Sequence, residues 1–276
     1  MATRAMSTYM SAMGELRYEP LKRRLRGFEG DRVLVDTERA RLVWEPKRIV
    51  PQYAVPEADV ADDVLAPESS SDPGGGDTTW EHPEAGPVLP PGRFRLHSTP
   101  GEELRLRLSG GDRPGGAYRL DDEDLAGYVI VEFGALDRWL EEEDEVVAHP
   151  RDPFKRIDVQ RSSRSVRVEH DGRLLAESRR PSLLFETSLP TRYYLPADDV
   201  RLDELTPSDT VTWCAYKGRA THWSIDTDGR ALDVAWTYRD PRNDAVPVRN
   251  LVGFYHERLD VSVDGERGDR PSTPWS

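Results

Sequence analysis

The dipeptide Asp171-Gly172 limits this chain more than any other feature. It stands between Ser165-Val-Arg-Val-Glu169 and Arg173-Leu-Leu-Ala176, two short runs of strand-forming residues. Asp-Gly supplies the positive φ angles that a two-residue hairpin turn needs. Asp228-Gly229 repeats the device before a run over Leu232–Tyr238. Further runs of strand length lie at Ser182–Glu186, Arg192–Leu195, Thr210–Tyr216, Thr221–Ile225 and Leu251–Tyr255. Short strands at this spacing, with little helical periodicity between them, predict an all-β architecture of short antiparallel strands.

The first half reads the same way, less cleanly. Leu25–Val35 suggests a strand, a turn and a second strand, and Arg41–Trp44 another. Glu103-Leu-Arg-Leu-Arg-Leu108 alternates leucine with arginine, the pattern of a half-buried strand. Arg93–His97 and Tyr128–Phe133 are also expected as strands, and Leu136–Leu140 as a short helix. Residues 57–91 change character. Glu68-Ser-Ser-Ser-Asp-Pro-Gly-Gly-Gly-Asp77 is almost without apolar side chains, so a disordered insert is expected there, with Trp80 the residue in it able to dock. The proline-pinned stretch His149–Phe154 reads as a boundary between domains.

Composition narrows the function classes. One cysteine excludes an intrachain disulfide and a cysteine-only zinc site, and points to a reducing compartment. The beginning of the sequence lacks a sustained apolar run, and no stretch approaches the roughly 20 apolar residues of a membrane helix. A cytoplasmic protein without a membrane partner is the expectation. The net charge of −13 repels phosphate backbones and disfavours nucleic acid as a partner.

The chain also resembles itself. Asp36-Thr-Glu-Arg39 through Leu42-Val-Trp-Glu45 aligns with Glu177-Ser-Arg-Arg180 through Leu183-Leu-Phe-Glu186. Tyr53-Ala-Val-Pro56 then aligns with Tyr193-Tyr-Leu-Pro196 at a spacing that differs by one residue. Two copies of one β-rich domain follow as an expectation: a first, degenerate copy over 19–148 that carries the insert, and a second over 160–265. Arg39 with Glu45, and Arg180 with Glu186, recur together and suggest a cross-strand ion pair.

Thr210–Ser224 has no good counterpart in the first copy. It holds the sole cysteine, Cys214, one of four lysines, Lys217, and the histidine His222. A thiol beside a lysine or histidine is the arrangement of an activated nucleophile, whereas an isolated thiol in a strand is ordinary core. Lys217-Gly218 pairs a cation with a residue that lets backbone approach a ligand. Alternation puts Cys214 and Tyr216 on one face and Trp213 on the other. Cys214, Lys217 and His222 are therefore the catalytic candidates, with Tyr194, Tyr216, Trp236 and Arg192 as ligand-binding candidates. Lys217→Ala is expected to abolish binding and leave the fold intact. No Walker loop or dinucleotide glycine fingerprint occurs, no metal ligand is assigned, and no cofactor is specified.

Several separated blocks then point to a family. Phe185-Glu-Thr-Ser-Leu-Pro-Thr-Arg-Tyr-Tyr-Leu-Pro196, Pro207-Ser-Asp-Thr210, Cys214-Ala-Tyr-Lys-Gly218 and Ala235-Trp-Thr-Tyr-Arg-Asp-Pro241 resemble the bacterial and fungal domain of unknown function 427, also labelled nucleotidyltransferase-like. The resemblance implies tandem small β-tent domains, two antiparallel sheets meeting at an angle. It also implies a small-ligand pocket in the second copy, for a nucleotide or other anionic metabolite. The Gly-Ser turn of polymerase-type transferases is missing, and the acidic pairs Asp198-Asp199 and Asp226/Asp228 read as loop and turn residues rather than a metal site. A non-catalytic ligand-binding or protein-interaction module therefore stands as the alternative, with protein partners unspecified.

Overall fold

A computed structural model describes residues 2–68, 80–82 and 85–273. The chain divides into two units, Met1–Asp152 and Pro153–Ser276. Both are all-β and every strand pairing is antiparallel, with Ala5–Ser11 the one α-helix among the described residues.

In the second unit a seven-stranded sheet runs Ile157–Arg161, Ser182–Glu186, Arg192–Leu195, Val252–Phe254, Arg230–Pro241, Gly218–Thr227 and Thr206–Cys214. A four-stranded sheet runs Arg173–Ser178, Val166–His170, Asp260–Val263 and Glu266–Arg267. The expected hairpin closes at Asp171 and Gly172, with φ of 49° and 78°, and Asp228-Gly229 turns likewise at 54° and 79°. Val166, Val168, Leu175, Leu195, Val234 and Phe254 are buried together where the two sheets meet. Each such side chain contributes roughly 1.5–3 kcal/mol of burial. The large sheet has a second apolar face, built from Leu184, Tyr194, Ala220, Trp236 and Tyr238 and joined by Ala245 and Val248 of the 3-10 turn Asn243–Val248.

The first unit has a seven-stranded sheet in the order Arg17–Pro20, Arg41–Trp44, Gln52–Pro56, Tyr128–Val131, Arg113–Leu120, Gly101–Leu106 and Leu65–Pro67. Its four-stranded sheet is Asp144–Val146, Arg138–Glu141, Leu25–Glu29 and Arg32–Thr37. Taken in chain order, both large sheets follow one succession of strands, apart from the Trp80–His82 and Gly86–Val88 hairpin added to the first unit.

Several expectations are corrected. Leu136–Leu140 is not a helix: Arg138–Glu141 is a strand, because alternation sends Trp139 into the core and lets Glu141 accept a 2.7 Å hydrogen bond from the Tyr53 hydroxyl. Arg93–His97 forms no strand, since Phe94 is buried and its carbonyl accepts from Gln52 Nε2 at 2.9 Å. Parts of the stretch 57–91, expected as a disordered insert, belong to the fold. Val60, Val64 and Ala66 are buried, and Leu65–Pro67 pairs with Gly101–Leu106 as the sheet edge. Residues 69–79 and the side chain of Trp80 lie outside the described residues.

The recurring arginines also have other partners than expected. Arg39 pairs with Asp59 at 2.6 Å and Arg180 with Asp199 at 3.0 Å. In each case a hydroxyl two residues earlier, Thr37 or Ser178, donates to the same aspartate. Glu45 and Glu186, at the ends of their strands, face elsewhere.

Candidate functional site

The expected strand Thr210–Tyr216 ends two residues early. Thr206–Cys214 is the strand, and Ala215, Tyr216 and Lys217 form the turn into Gly218, whose φ of 90° suits glycine. Alternation therefore stops applying after Cys214, and the turn is free to bring Lys217 over the sheet. Its carbonyl accepts from the Arg242 backbone amide at 3.2 Å, which fixes the turn from the following strand's end.

Lys217 Nζ lies 2.5 Å from Glu186 Oε2, and Lys155 Nζ reaches Glu186 Oε1 at 3.3 Å. Glu186 is placed by period-two alternation: Leu184 and Glu186 share the outer face of their strand, with Tyr194 on the neighbouring one. Its side chain is 7% exposed, Lys217 11% and Lys155 18%. Burial alone pushes the Glu186 carboxyl up, but the two ammonium groups outweigh it and hold it at about 2. Burial pushes Lys217 down, and the attraction of Glu186 more than reverses this, leaving its pKa raised.

Tyr194, Tyr238 and Cys214 surround this pair within electrostatic reach of one another. Burial raises the Tyr194 phenol to about 12 and the Tyr238 phenol well above its ordinary value, so both stay protonated. Tyr194 accepts a 3.1 Å hydrogen bond from Trp236 Nε1, and the two rings meet edge-on at 6.0 Å. Beneath them lies Gly253, where a Cβ would stand 2.8 Å from the Trp236 ring and 3.1 Å from Tyr194. Tyr216 is buried with its ring centroid 5.9 Å from Lys155 Nζ. Cys214 and the Lys155 side chain, both half-buried, are the least enclosed members of the cluster.

Not every candidate joins it. His222 sits four residues along the strand from Gly218, the partner of Cys214. That spacing is about 13 Å at the usual rise, too far for a shared proton. Its Nδ1 lies 3.2 Å from the Thr210 carbonyl and so carries the proton. Nε2 then faces the Tyr255 hydroxyl at 3.3 Å and Thr212 Oγ1 at 3.5 Å. Burial lowers its pKa and keeps the ring neutral. Arg192 is buried in a two-pronged pair with Glu257 at 2.8 and 2.5 Å, and Thr273 Oγ1 donates to the same carboxylate at 2.5 Å. Its guanidinium carbon stands 5.8 Å from the Trp236 ring, so it backs the aromatic wall.

Three residues of the cluster were not on the list drawn from sequence: Glu186, Lys155 and Tyr238. Glu186 carried a signal, its recurrence opposite Glu45, which read as structural. In the first unit Glu45 is fully buried and its carboxylate is taken up by the chain itself. His97 Nδ1 approaches at 2.8 Å, and the backbone amides of Ser98 and Thr99 donate at 2.8 and 3.0 Å. A strand-end carboxylate is thus met by the segment before the Gly101 or Gly218 strand in each unit, with different chemistry. Among the described residues no group of three or more His, Cys, Asp or Glu is arranged to hold a metal ion.

Residues 158–265 match the model of a family described as Domain of unknown function (DUF427). No curated protein matches the chain. The matched segment lies within the second unit and contains Glu186, Tyr194, Cys214, Lys217, Trp236 and Tyr238.

Proposed function

We propose that the second unit binds a small anionic metabolite on the outer face of its large sheet, at the cluster centred on Glu186 and Lys217. The observation that supports this most is the charge count. Two ammonium groups face one carboxylate among side chains largely removed from water, where an unmatched positive charge strongly favours an incoming anion. Trp236, Tyr194 and Tyr238 are buried behind the two lysines as an apolar floor, which keeps water from screening their charge. Cys214, half-buried at the same cluster, is the group best placed for chemistry on a bound molecule. In this reading the two units are copies of one β module, and the first, whose carboxylate is filled by its own His97 segment, serves as support.

The test is a thermal-shift panel of anionic metabolites, nucleoside monophosphates included, each beside a neutral counterpart. A ligand that binds the folded state raises the melting temperature in proportion to its occupancy. An upward shift for anionic members and none for their neutral counterparts is expected. A panel in which no anion moves the melting temperature at millimolar concentration rejects the proposal.

A further inference from the structure

We infer that Lys155 is the residue that grips the ligand's negative group, and that the site is matched to a single negative charge on a flat, aromatic molecule. This rests on the anion-binding reading above and gives it a charge and an anchor. The two lysines on Glu186 are not equivalent. Lys217 is the nearer, at 2.5 Å against 3.3 Å, and the more enclosed, at 11% against 18% exposure. It is also tethered by its turn, whose Gly218 and Arg242 contacts fix the backbone. Lys217 and Glu186 therefore close as a neutral unit. Lys155 is left with a longer, looser contact to a carboxylate whose charge is already met.

Among the described residues Glu186 is the sole carboxylate in an ion pair with either lysine. The nearby phenols of Tyr194 and Tyr238 are neutral. Lys155 enters from the segment ahead of the Ile157–Arg161 strand, so its backbone is outside the sheet, and its side chain is the more exposed of the two lysines. It stands 5.9 Å from the centroid of the Tyr216 ring, beside which a flat ligand has an aromatic neighbour while its acid group meets Nζ. One surplus positive charge selects one negative charge: a dianion brings a second charge that nothing in the cluster answers and that Glu186 repels.

The probes are benzoate, phenyl phosphate and benzyl alcohol, titrated at pH 8 into the full chain and followed by ligand-observed NMR. Benzoate is expected to bind the unmodified protein more tightly than benzyl alcohol, and phenyl phosphate no more tightly than benzoate. Lys155→Met is expected to weaken benzoate about tenfold or more, the usual worth of a charge-assisted hydrogen bond. Lys155→Arg keeps the charge and is expected to restore most of the affinity, while benzyl alcohol is indifferent to both changes. Equal benzoate affinity in the unmodified protein and Lys155→Met overturns the assignment of Lys155 and leaves the anion site standing. Phenyl phosphate binding much tighter than benzoate overturns the single-charge assignment. If neither anion binds better than benzyl alcohol, the anion-site reading falls and this inference with it.

Discussion

Lys217 Nζ and Glu186 Oε2 stand 2.5 Å apart, both largely shut away from water, and join the turn before Gly218 to the end of the Ser182–Glu186 strand. The contact spans the sheet, since the Gly218–Thr227 strand that follows Lys217 is separated from Ser182–Glu186 in the order by three others. It reassigns Lys217 from a free cation at a strand end to half of an enclosed ion pair. The first unit fills the corresponding position with the His97 ring and two backbone amides on Glu45.

Removing the lysine should therefore cost stability as well as binding, which corrects the expectation that Lys217→Ala leaves the fold intact. A buried carboxylate that loses its partner is destabilised by about 3–5 kcal/mol when nothing replaces it. Here Lys155 remains at 3.3 Å, so Lys217→Met should lose about 2–3 kcal/mol. Urea unfolding measures this directly. The Lys217→Met/Glu186→Leu double variant should be less destabilised than the sum of its single changes, because the stranded charge is gone.

The same pair sets an acid limit. Glu186 falls from an ordinary 4.5 to about 2 in the folded protein, so the unfolded chain takes up its proton first. The stability this supplies is complete above pH 4.5 and is lost as pH falls toward 2, amounting to about 3 kcal/mol in all. Urea midpoints recorded between pH 5 and 2 should fall less steeply for Glu186→Gln than for the unmodified protein. Parallel profiles would show that the carboxylate is not held down by its two lysines.

His256 acts in a different window. Its ring is buried against Tyr193 at 5.3 Å, Nε2 has no hydrogen-bond partner, and burial followed by the nearby Arg192 pushes its pKa from 6.5 to about 3. A base that is harder to protonate when folded favours unfolding as the pH drops below its unfolded value. Stability should decline by up to about 1.4 kcal/mol per pH unit below 6.5 from this residue alone. His222, also lowered by burial, adds a contribution of the same sign. The difference between unmodified protein and His256→Phe, measured from pH 7 to 5, isolates the His256 part before Glu186 begins to titrate.

Much of the architecture was legible because it follows from local rules. Asp171-Gly172 and Asp228-Gly229 dictate their hairpins through φ alone, and Ser182–Glu186 and Arg192–Leu195 occupy the strands their apolar residues outline. The helix expected at Leu136–Leu140 failed because Trp139 is claimed by a core assembled from distant segments, which no local pattern reveals. The candidate cluster was legible only in part for the same reason. Cys214, Lys217, Tyr194 and Trp236 stood out by chemistry or rarity, and the cluster contains them. Glu186 and Lys155 belong to it through pairings across the sheet, and Tyr238 looked like core. His222 is neighbour to Cys214 in sequence but not in space, because an extended strand separates residues that a turn or helix would bring together.

Gly253 offers the sharpest test of how the aromatic wall is built. It pairs with Tyr194 on one side and Trp236 on the other, and both rings fill the space a side chain would take. A methyl group there would stand 2.8 Å from that ring and 3.1 Å from the Tyr194 ring, closer than carbon atoms tolerate. Neither ring has space to yield: Tyr194 is fully buried, and Trp236 is held by its hydrogen bond to Tyr194 and by Tyr255, 4.6 Å away. Gly253→Ala should therefore destabilise the protein by about 1–3 kcal/mol and shift Trp236 fluorescence. Trp213, by contrast, is 52% exposed on the edge strand, and Trp213→Ser should change stability by less than about 0.5 kcal/mol. Comparable losses in the two variants would mean that the edge strand, not the Gly253 floor, holds this face of the sheet in place.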